Sequence, residues 1–332
     1  MKGTGTEPPT WLPLVTGCTS QLDGTVSAIP PLLEGCIRSW SSSLLACSMR
    51  SSRGDTSGMH QAYQDLATLH TTRRIASEAL AETLRAGLGA SEAALAEAWV
   101  AAMHTAGVPW FWYTPPPDGT SVLSGSELER LALTSFRPPS AWPSDRATTE
   151  IAPLTCYTSP VSKDGLIGDF GLTLYAGPDP AIRAHIAQVA ELVAGGTDAA
   201  EVGINFCDLY AHAERCWVAA GLTNDIASTT DRAGTNIGHT IPFFGEDRRH
   251  VPKGGDAART LSEARSFVSA VSTEVLGETC AFTIEPRLGA PGLPVSWFHV
   301  VVVFVEGTKH VVTEFTPVLD ALGCVWFGDP WA

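Results

Sequence analysis

The chain has 332 residues, of which 44% are hydrophobic, and its 35 acidic side chains outnumber 21 lysines and arginines for a net charge of −14. A chain of this length and apolar content can bury a substantial core, so we expect a globular protein. The negative charge opposes binding to nucleic acid or to an anionic membrane surface. The longest apolar run, Val300–Val305, has the length of a strand and falls far short of the roughly 20 residues that a membrane span requires.

The cysteines indicate a reducing compartment. Eight of them are scattered along the chain without a Cys-x-x-Cys pair, which fits neither a small disulfide scaffold nor a zinc ribbon. We therefore expect buried, reduced thiols in a cytoplasmic protein.

The N-terminal segment differs in composition from the rest of the chain. Residues 1–58 are rich in Ser, Gly and Pro and show neither helical nor strand periodicity. They also lack the charged start, apolar middle and small-residue exit of a secretory signal. We predict a poorly ordered N-terminal extension over 1–58 and one folded domain over 59–332, with organelle targeting as an open alternative for the extension.

The first part of the folded domain is predicted to contain two helices and then a β-hairpin. Apolar residues recur at three- and four-residue spacings in the first helix, which ends on a glycine. Turn-forming residues join the two strand candidates. The predicted elements are helices His60–Gly87 and Ala93–Ala106 and strands Glu150–Thr158 and Leu166–Tyr175.

The second part of the domain contains helices and then mostly strands. The predicted elements are helices Pro180–Ala194 and Ala200–Ala220, a short strand at Gly238–Pro242, a helix at Leu261–Thr273, and strands Cys280–Ile284, Trp297–Val305 and His310–Thr316. Helices followed by antiparallel strands that pack in layers are typical of an α+β domain.

Three polar residues occupy strand contexts in which an unpartnered charge should be rare. They are Asp169, His239 and Glu285. Ionised carboxylates are costly to bury without a cationic partner, and Asp, His and Glu together form the ligand set of Zn²⁺, Mn²⁺ or Fe²⁺. The alternatives are a turn-capping role for Asp169, ordinary core packing for His239, and neutralisation of Glu285 by Arg287, which projects to the same face of its strand.

The order of several motifs resembles the creatinase, methionine aminopeptidase and proline-specific peptidase family. The motifs are GDFG (Gly168–Gly171), a Gly-His pair at 238–239, TIEP (Thr283–Pro286) and the closing strand VVVVFVEG (Val300–Gly307). The resemblance covers about residues 60–315. It implies the pita-bread fold, an α+β architecture in which helices cover a curved antiparallel sheet.

The resemblance also implies a metal site. In that family five ligands hold a pair of divalent ions, a bridging hydroxide attacks the scissile carbonyl, and a glutamate acts as base. Asp169, His239 and Glu285 match three of these ligands, and Glu285 is also the candidate catalytic residue. The implied cofactor is Mn²⁺, Fe²⁺, Co²⁺ or Zn²⁺, and the incomplete ligand set favours one ion, with none as the alternative.

The other two ligand positions depart from the family pattern. The first aspartate falls on Tyr157 or, by strict spacing, on Thr158. The last glutamate falls on Phe298, next to His299, and adjacent strand residues point to opposite faces, so only one of the two can enter the site. We take Tyr157 as a candidate proton donor and His299 as a candidate metal ligand, with ordinary packing as the alternative for both.

These residues favour a metal-dependent hydrolase that acts on a small peptide or amide. Two alternatives stay open. Iron held by Asp169, His239 and His299 would serve a lyase or an oxidative enzyme that acts on a small metabolite, and a metal-free relative would serve as a binding module. We expect a small-molecule or short-peptide substrate and no nucleic-acid or membrane partner, and the resemblance is compatible with a homodimer.

Overall fold

The computed structural model describes residues 56–112, 119–126, 142–224, 235–243, 265–324 and 326–331. All of these lie within one unit of contacting residues, Asp55–Ala332. The predicted N-terminal extension lies outside the described residues, except for 56–58, which begin the first helix. Within the described ranges, no helix is both long and apolar enough to cross a lipid bilayer.

The first two helices begin and end close to the positions that the sequence predicts, whereas the fourth begins at Phe206, six residues after the predicted Ala200. The first helix buries a stripe that includes Leu69 and Leu80, and Ser91 caps the second by accepting a hydrogen bond from the Ala94 amide at 3.2 Å. The third helix extends five residues further than predicted, to Ala199. The helices are α1 (Thr56–Gly87), α2 (Glu92–Thr105), α3 (Pro180–Ala199), α4 (Phe206–Ala219) and α5 (Thr316–Ala321).

The strands form one large antiparallel sheet and two short pairs. They are β1 (Trp110–Phe111), β2 (Ser121–Ser124), β3 (Leu154–Thr158), β4 (Pro160–Val161), β5 (Phe170–Leu174), β6 (Thr223–Asn224), β7 (Cys280–Ile284), β8 (Leu288–Gly289), β9 (Phe298–Val305) and β10 (Thr308–Val312). The large sheet has the order β10-β9-β5-β3-β2, with β7 also paired to β9. Helices combined with antiparallel strands confirm the predicted α+β class.

Strand β9 separates two environments, because successive side chains of a strand point to opposite faces. Phe298 and the other even-numbered residues join the main apolar core, where the Phe298 ring lies 5.6 Å from that of Phe315. Val301 and its odd-numbered neighbours pack with residues of α1 that include Leu69. His299 shares this second face, so His299 and not Phe298 is available to the predicted site.

Strand β9 also changes partners along its length, and this change positions the site. Val300–Phe304 pairs with β7 and Val301–Val305 pairs with β10, whereas only Phe298 and His299 pair with β5. The start of β5 and the ends of β7 and β10 therefore meet next to His299.

Two predicted C-terminal elements are corrected by the structure. The described part of the predicted helix Leu261–Thr273, residues 265–273, is not helical. The segment pairs instead with residues 237–240, where the Ile237 amide donates to the Val268 carbonyl at 2.9 Å. Serine and valine have only modest helix propensity, so these backbone pairs prevail. The predicted strand His310–Thr316 ends at Val312, and Thr316 begins α5.

Candidate metal centre

Four of the predicted site residues converge at the place where β9 changes partners. Asp169 directly precedes β5, Glu285 directly follows β7, and His299 lies in β9. His239 reaches them from a short segment whose next residue, Thr240, bridges to Phe282 of β7. The four residues come from four separate stretches of the chain, and backbone pairing brings these stretches together.

The nitrogen and oxygen atoms of these side chains face one another at similar separations. The Nε2 atom of His239 lies 3.5 Å from Glu285 Oε1 and 4.0 Å from Asp169 Oδ2. The Nε2 atom of His299 lies 3.6 Å from Glu285 Oε2 and 3.8 Å from Asp169 Oδ2. These separations are too long for good hydrogen bonds. Ligand atoms around a tetrahedral Zn²⁺ at about 2.1 Å lie about 3.4 Å apart, so the observed spacing suits a shared cation.

Buried atoms without partners support the same interpretation. Neither Asp169 Oδ2 nor His299 Nε2 has a hydrogen-bond partner among the residues that the structure describes. Ligand atoms from Asp169, His239 and His299 all lie within 4.8 Å of one another, and the three residues are buried. Buried polar atoms ordinarily have hydrogen-bond partners. A set of two imidazoles and one carboxylate fits a divalent transition-metal ion.

Neighbouring groups orient the ligands. The His239 Nδ1 atom lies 3.0 Å from the Thr240 carbonyl oxygen, so Nδ1 carries the proton and Nε2 presents its lone pair to the site. The Thr283 hydroxyl accepts from the His239 amide at 3.0 Å and donates to Glu285 Oε1 at 3.1 Å. A single threonine thus fixes the main chain of one candidate ligand and the carboxylate of another.

Tyr157 is the residue of its strand that meets the site. Its hydroxyl donates to Asp169 Oδ1 at 3.1 Å, and its ring lies 5.7 Å from that of Trp297. The Thr158 hydroxyl points elsewhere, 2.8 Å from the hydroxyl of Thr120. The structure therefore brings Tyr157, and not Thr158, to the position that the family pattern gives to a carboxylate.

Burial is the largest cause of the pKa shifts at the centre. It raises the pKa of Asp169 to about 7, with the Glu285 charge as the second cause, and it also raises the pKa of Glu285. Burial lowers the pKa of both His239 and His299 well below the usual value. The histidines are therefore neutral at physiological pH, which is the form that binds metal ions. The charges of nearby arginines lower the pKa of both carboxylates, but burial outweighs them.

Two arginines near the centre place their guanidinium groups over aromatic rings. The Arg287 guanidinium lies 4.2 Å from the centroid of Trp297, and that of Arg265 lies 5.0 Å from the centroid of Trp112. The charge of each lowers the pKa of Glu285, but burial outweighs both effects and the pKa stays raised. Neutralisation of Glu285 by Arg287, an alternative from the sequence, therefore stays a prediction.

A third arginine at the centre escaped the sequence interpretation. Arg73 of α1 is fully buried, and its guanidinium donates to the main-chain carbonyls of Asp169 and His299, the latter at 2.7 Å. A signal for this role exists in the sequence. Arg73 follows Leu69 by four residues and precedes Leu80 by seven, so it falls on the buried stripe of the helix.

Comparison with known proteins agrees with this fold. A model of metallopeptidase family M24 matches residues 67–312. No curated protein sequence matches the chain. The chain belongs to metallopeptidase family M24, and its fold is the pita-bread fold that the motif order predicts.

Several solved structures share this fold. An X-Pro aminopeptidase from Thermotoga maritima MSB8 superposes with a TM-score of 0.55 at 16% identity, covering 78% of this chain and 64% of the other. The prolidase from Pyrococcus horikoshii OT3 gives 0.55 at 15% identity, with coverages of 75% and 62%. An Xaa-Pro dipeptidase from Bacillus anthracis gives 0.53 at 17% identity, with coverages of 75% and 60%. The chain thus spans about six tenths of the length of these relatives.

Proposed function

We propose that this chain is a metal-dependent hydrolase of small peptides or amides that works with one divalent ion. The observation that carries the proposal is the convergence of Asp169, His239 and His299 within 4.8 Å, with Glu285 beside both imidazoles. Asp169 Oδ2, both Nε2 atoms and the Glu285 carboxylate would hold the ion. Membership of a metallopeptidase family supports the reaction class.

A single ion suits the donor set better than a pair. Among the residues that the structure describes, Asp169 and Glu285 are the two carboxylates at this centre, and their combined charge matches that of one dication. The hydroxyl of Tyr157 occupies Asp169 Oδ1, so this carboxylate keeps one oxygen for a metal. The rings of Tyr157 and Trp297 pack 5.7 Å apart, so an aromatic pair, and not a further carboxylate, lies beside this oxygen.

The difference in exposure between Glu285 and Asp169 suggests a different role for each carboxylate. A bound ion supplies Lewis acidity, which polarises a carbonyl and lowers the pKa of water. The side chain of Glu285 is 16% exposed, whereas that of Asp169 is inaccessible, so Glu285 can receive a proton from a reacting water. Its pKa is raised by burial, which strengthens it as a base. The hydrogen bond from Tyr157 holds the Asp169 carboxylate in place.

Aromatic rings border the histidines of the centre. Trp112 lies 5.9 Å from the His239 ring and Trp297 lies 6.0 Å from the His299 ring, so an indole borders each candidate histidine ligand. Both indoles are buried, so the family, and not the aromatic rings, supports the choice of substrate class. We propose a short peptide or amide as the substrate.

A second candidate function rests on the identity of the nitrogen ligands. Two histidines and one carboxylate form the set that non-haem iron enzymes use, and the ligand atoms of Asp169, His239 and His299 lie within 4.8 Å of one another. An iron-dependent lyase or oxygenase that acts on a small metabolite would use the same residues.

Metal content and a paired assay test the proposal. Protein purified without chelator should contain about one equivalent of metal by elemental analysis. Reconstitution with Mn²⁺, Co²⁺, Zn²⁺ or Fe²⁺ should then release amino acids from a panel of dipeptides that includes X-Pro sequences. His299→Ala should abolish both binding and hydrolysis, while His60→Ala, which alters an exposed histidine, should change neither.

Each other outcome selects a different function. Oxygen uptake with Fe²⁺ and no peptide cleavage would favour the iron-dependent alternative. A protein that holds no metal, even after each ion is added, would contradict both and leave the binding module.

A further inference from the structure

A buried guanidinium joins the two main-chain segments that carry Asp169 and His299. Arg73 projects from α1 and has no solvent exposure. Its Nη1 atom donates to the Asp169 carbonyl, and its Nη2 atom donates to the carbonyls of His299 at 2.7 Å and Thr313 at 3.0 Å. The guanidinium carbon also lies 5.5 Å from the centroid of the Phe170 ring.

The three carbonyls share one location, which we call the strand junction. Asp169 is the last residue before β5, and Thr313 is the first residue after β10. His299 pairs with Gly171 of β5, while Val301 pairs with the last residue of β10. Main-chain groups at the ends of strand ladders need other partners when they are buried, and the Arg73 guanidinium supplies donors to all three.

This arrangement leaves the side chains of the centre available. Arg73 binds the Asp169 carbonyl oxygen, while the Asp169 carboxylate faces the imidazoles of His239 and His299. A carboxylate paired directly with arginine would be a poor metal ligand. When arginine binds the main-chain carbonyl instead, the carboxylate oxygen stays available to the metal. The main chain from which the side chain extends is then held in place.

We propose that Arg73 is a positioning residue of the metal centre, which sets the relative placement of Asp169 and His299 by holding their carbonyls. The inference rests on the metal site of the proposed function and adds a determinant of its affinity. Arginine suits this task better than lysine because its planar fork carries five donors. A lysine ammonium at this depth would reach fewer of the three carbonyls.

Two substitutions and a matched control test the inference. Arg73→Gln removes the charge and most of the donors, and Arg73→Lys keeps the charge with a smaller head. Arg74→Gln is the control, because Arg74 is the next residue and is exposed, 4.0 Å from Glu78 of the same helix. Cobalt titration followed by visible absorbance reports both the affinity and the coordination geometry of the site.

We expect Arg73→Gln to weaken Co²⁺ binding by about 10- to 100-fold, as the loss of groups that orient metal ligands typically does, and to change the cobalt spectrum. Arg73→Lys should recover part of the affinity, and Arg74→Gln should match the wild type. A folded Arg73→Gln protein with wild-type affinity and spectrum would overturn the inference. If that variant does not fold, wild-type cobalt binding by Arg73→Lys would overturn it equally.

A second measurement separates this inference from the proposed function. Hydrogen exchange of the metal-free proteins should show faster exchange in β5 and β9 around Gly171 and His299 when Arg73 is replaced, with distant elements unchanged. A wild-type chain that binds no Co²⁺ would refute the metal site of the proposed function. The exchange data would then decide alone whether Arg73 holds the strand junction, and unchanged exchange would refute it.

Discussion

Asp169 is the residue at which the demands of stability and of metal binding conflict. Its carboxylate is inaccessible to solvent, accepts one hydrogen bond from Tyr157, and lies close to a second carboxylate, Glu285. A structural aspartate would be better served by a direct arginine partner. The site therefore has the character of a centre built for a cation.

Burial of this carboxylate should lower the free energy of unfolding of the metal-free protein as pH rises. The pKa of Asp169 is about 7 in the folded chain against 3.8 for a solvated group. The folded state thus keeps a proton that the unfolded state releases between these values, and stability falls as pH rises across that window. Asp169→Asn should gain stability over the wild type by up to about 4 kcal/mol at pH 8 and by little at pH 4.

Denaturant unfolding of both chelator-treated proteins at the two pH values measures this difference. Because His239 and His299 are present in both proteins, comparing the pair reports the contribution of Asp169 together with its coupling to Glu285. A difference in unfolding free energy that does not change with pH would contradict a buried, proton-binding carboxylate.

Tyr157→Phe tests how much the phenol contributes to the centre. The substitution keeps the packing of the ring against Trp297 but removes the hydrogen bond to Asp169 Oδ1. Since that bond favours the anionic carboxylate, we expect Co²⁺ affinity to fall about tenfold. Tyr63→Phe, at an exposed tyrosine, is the control, and equal affinities in the two variants would refute this role for Tyr157.

At the scale of elements, the close packing of β5 against Trp297 decides the shape of the site. A Cβ atom added at Gly171 would lie 2.7 Å and 2.9 Å from carbons of the Trp297 ring and 3.1 Å from the Cys156 carbonyl oxygen. Glycine at this position therefore lets the indole lie directly on the strand, next to Tyr157 and His299.

Gly171→Ala should accordingly destabilise the protein by about 1–3 kcal/mol through overpacking and should shift the fluorescence of Trp297. Gly195→Ala in α3 is the matched control, because a Cβ atom there meets nothing within 4 Å, and it should be neutral or stabilise by up to about 1 kcal/mol. Urea unfolding compares the two. Equal effects of the two substitutions would contradict the tight contact.

Elements were predictable to the extent that local chemistry determines them. The buried stripe of α1 and its end at Gly87 are read from neighbouring residues, and both predictions hold. The helix expected over Leu261–Thr273 fails in residues 265–273 because their backbone pairs with a distant segment, residues 237–240. Such pairing leaves no trace in the local pattern.

The site was predictable in part for the same reason. Asp169, His239 and Glu285 stand out as polar residues among apolar neighbours, and the structure places them together. Which of two adjacent residues faces the site depends on strand register, so the sequence left both Tyr157 and His299 open. The roles of Tyr157 as proton donor and of His299 as metal ligand stay predictions.

At the scale of the whole molecule, a bound ion should stabilise the entire domain. Its candidate ligands come from β9, from the ends of β5 and β7, and from the segment that contains His239, so the ion would link distant parts of the chain. At a metal concentration 100 times the dissociation constant, the gain is about 2.7 kcal/mol. We therefore expect thermal unfolding several degrees higher with Co²⁺ or Mn²⁺ than with chelator.

The comparison with a defective site makes this measurement specific. Asp169→Asn should show no such shift, although it folds. A rise in unfolding temperature of equal size in both proteins would indicate metal binding elsewhere, and no rise in the wild type would contradict the proposed centre.

The bond between Arg73 and Thr313 spans 240 positions of the chain, and this has a consequence during biosynthesis. The first helix leaves the ribosome long before the final hairpin, so a nascent chain must keep Arg73 hydrated until residue 313 has emerged. Closure of the centre is therefore one of the last events of folding. A polypeptide truncated before the hairpin would carry Asp169, His239 and Glu285 but would lack both His299 and the strand that pairs with β5 and β7.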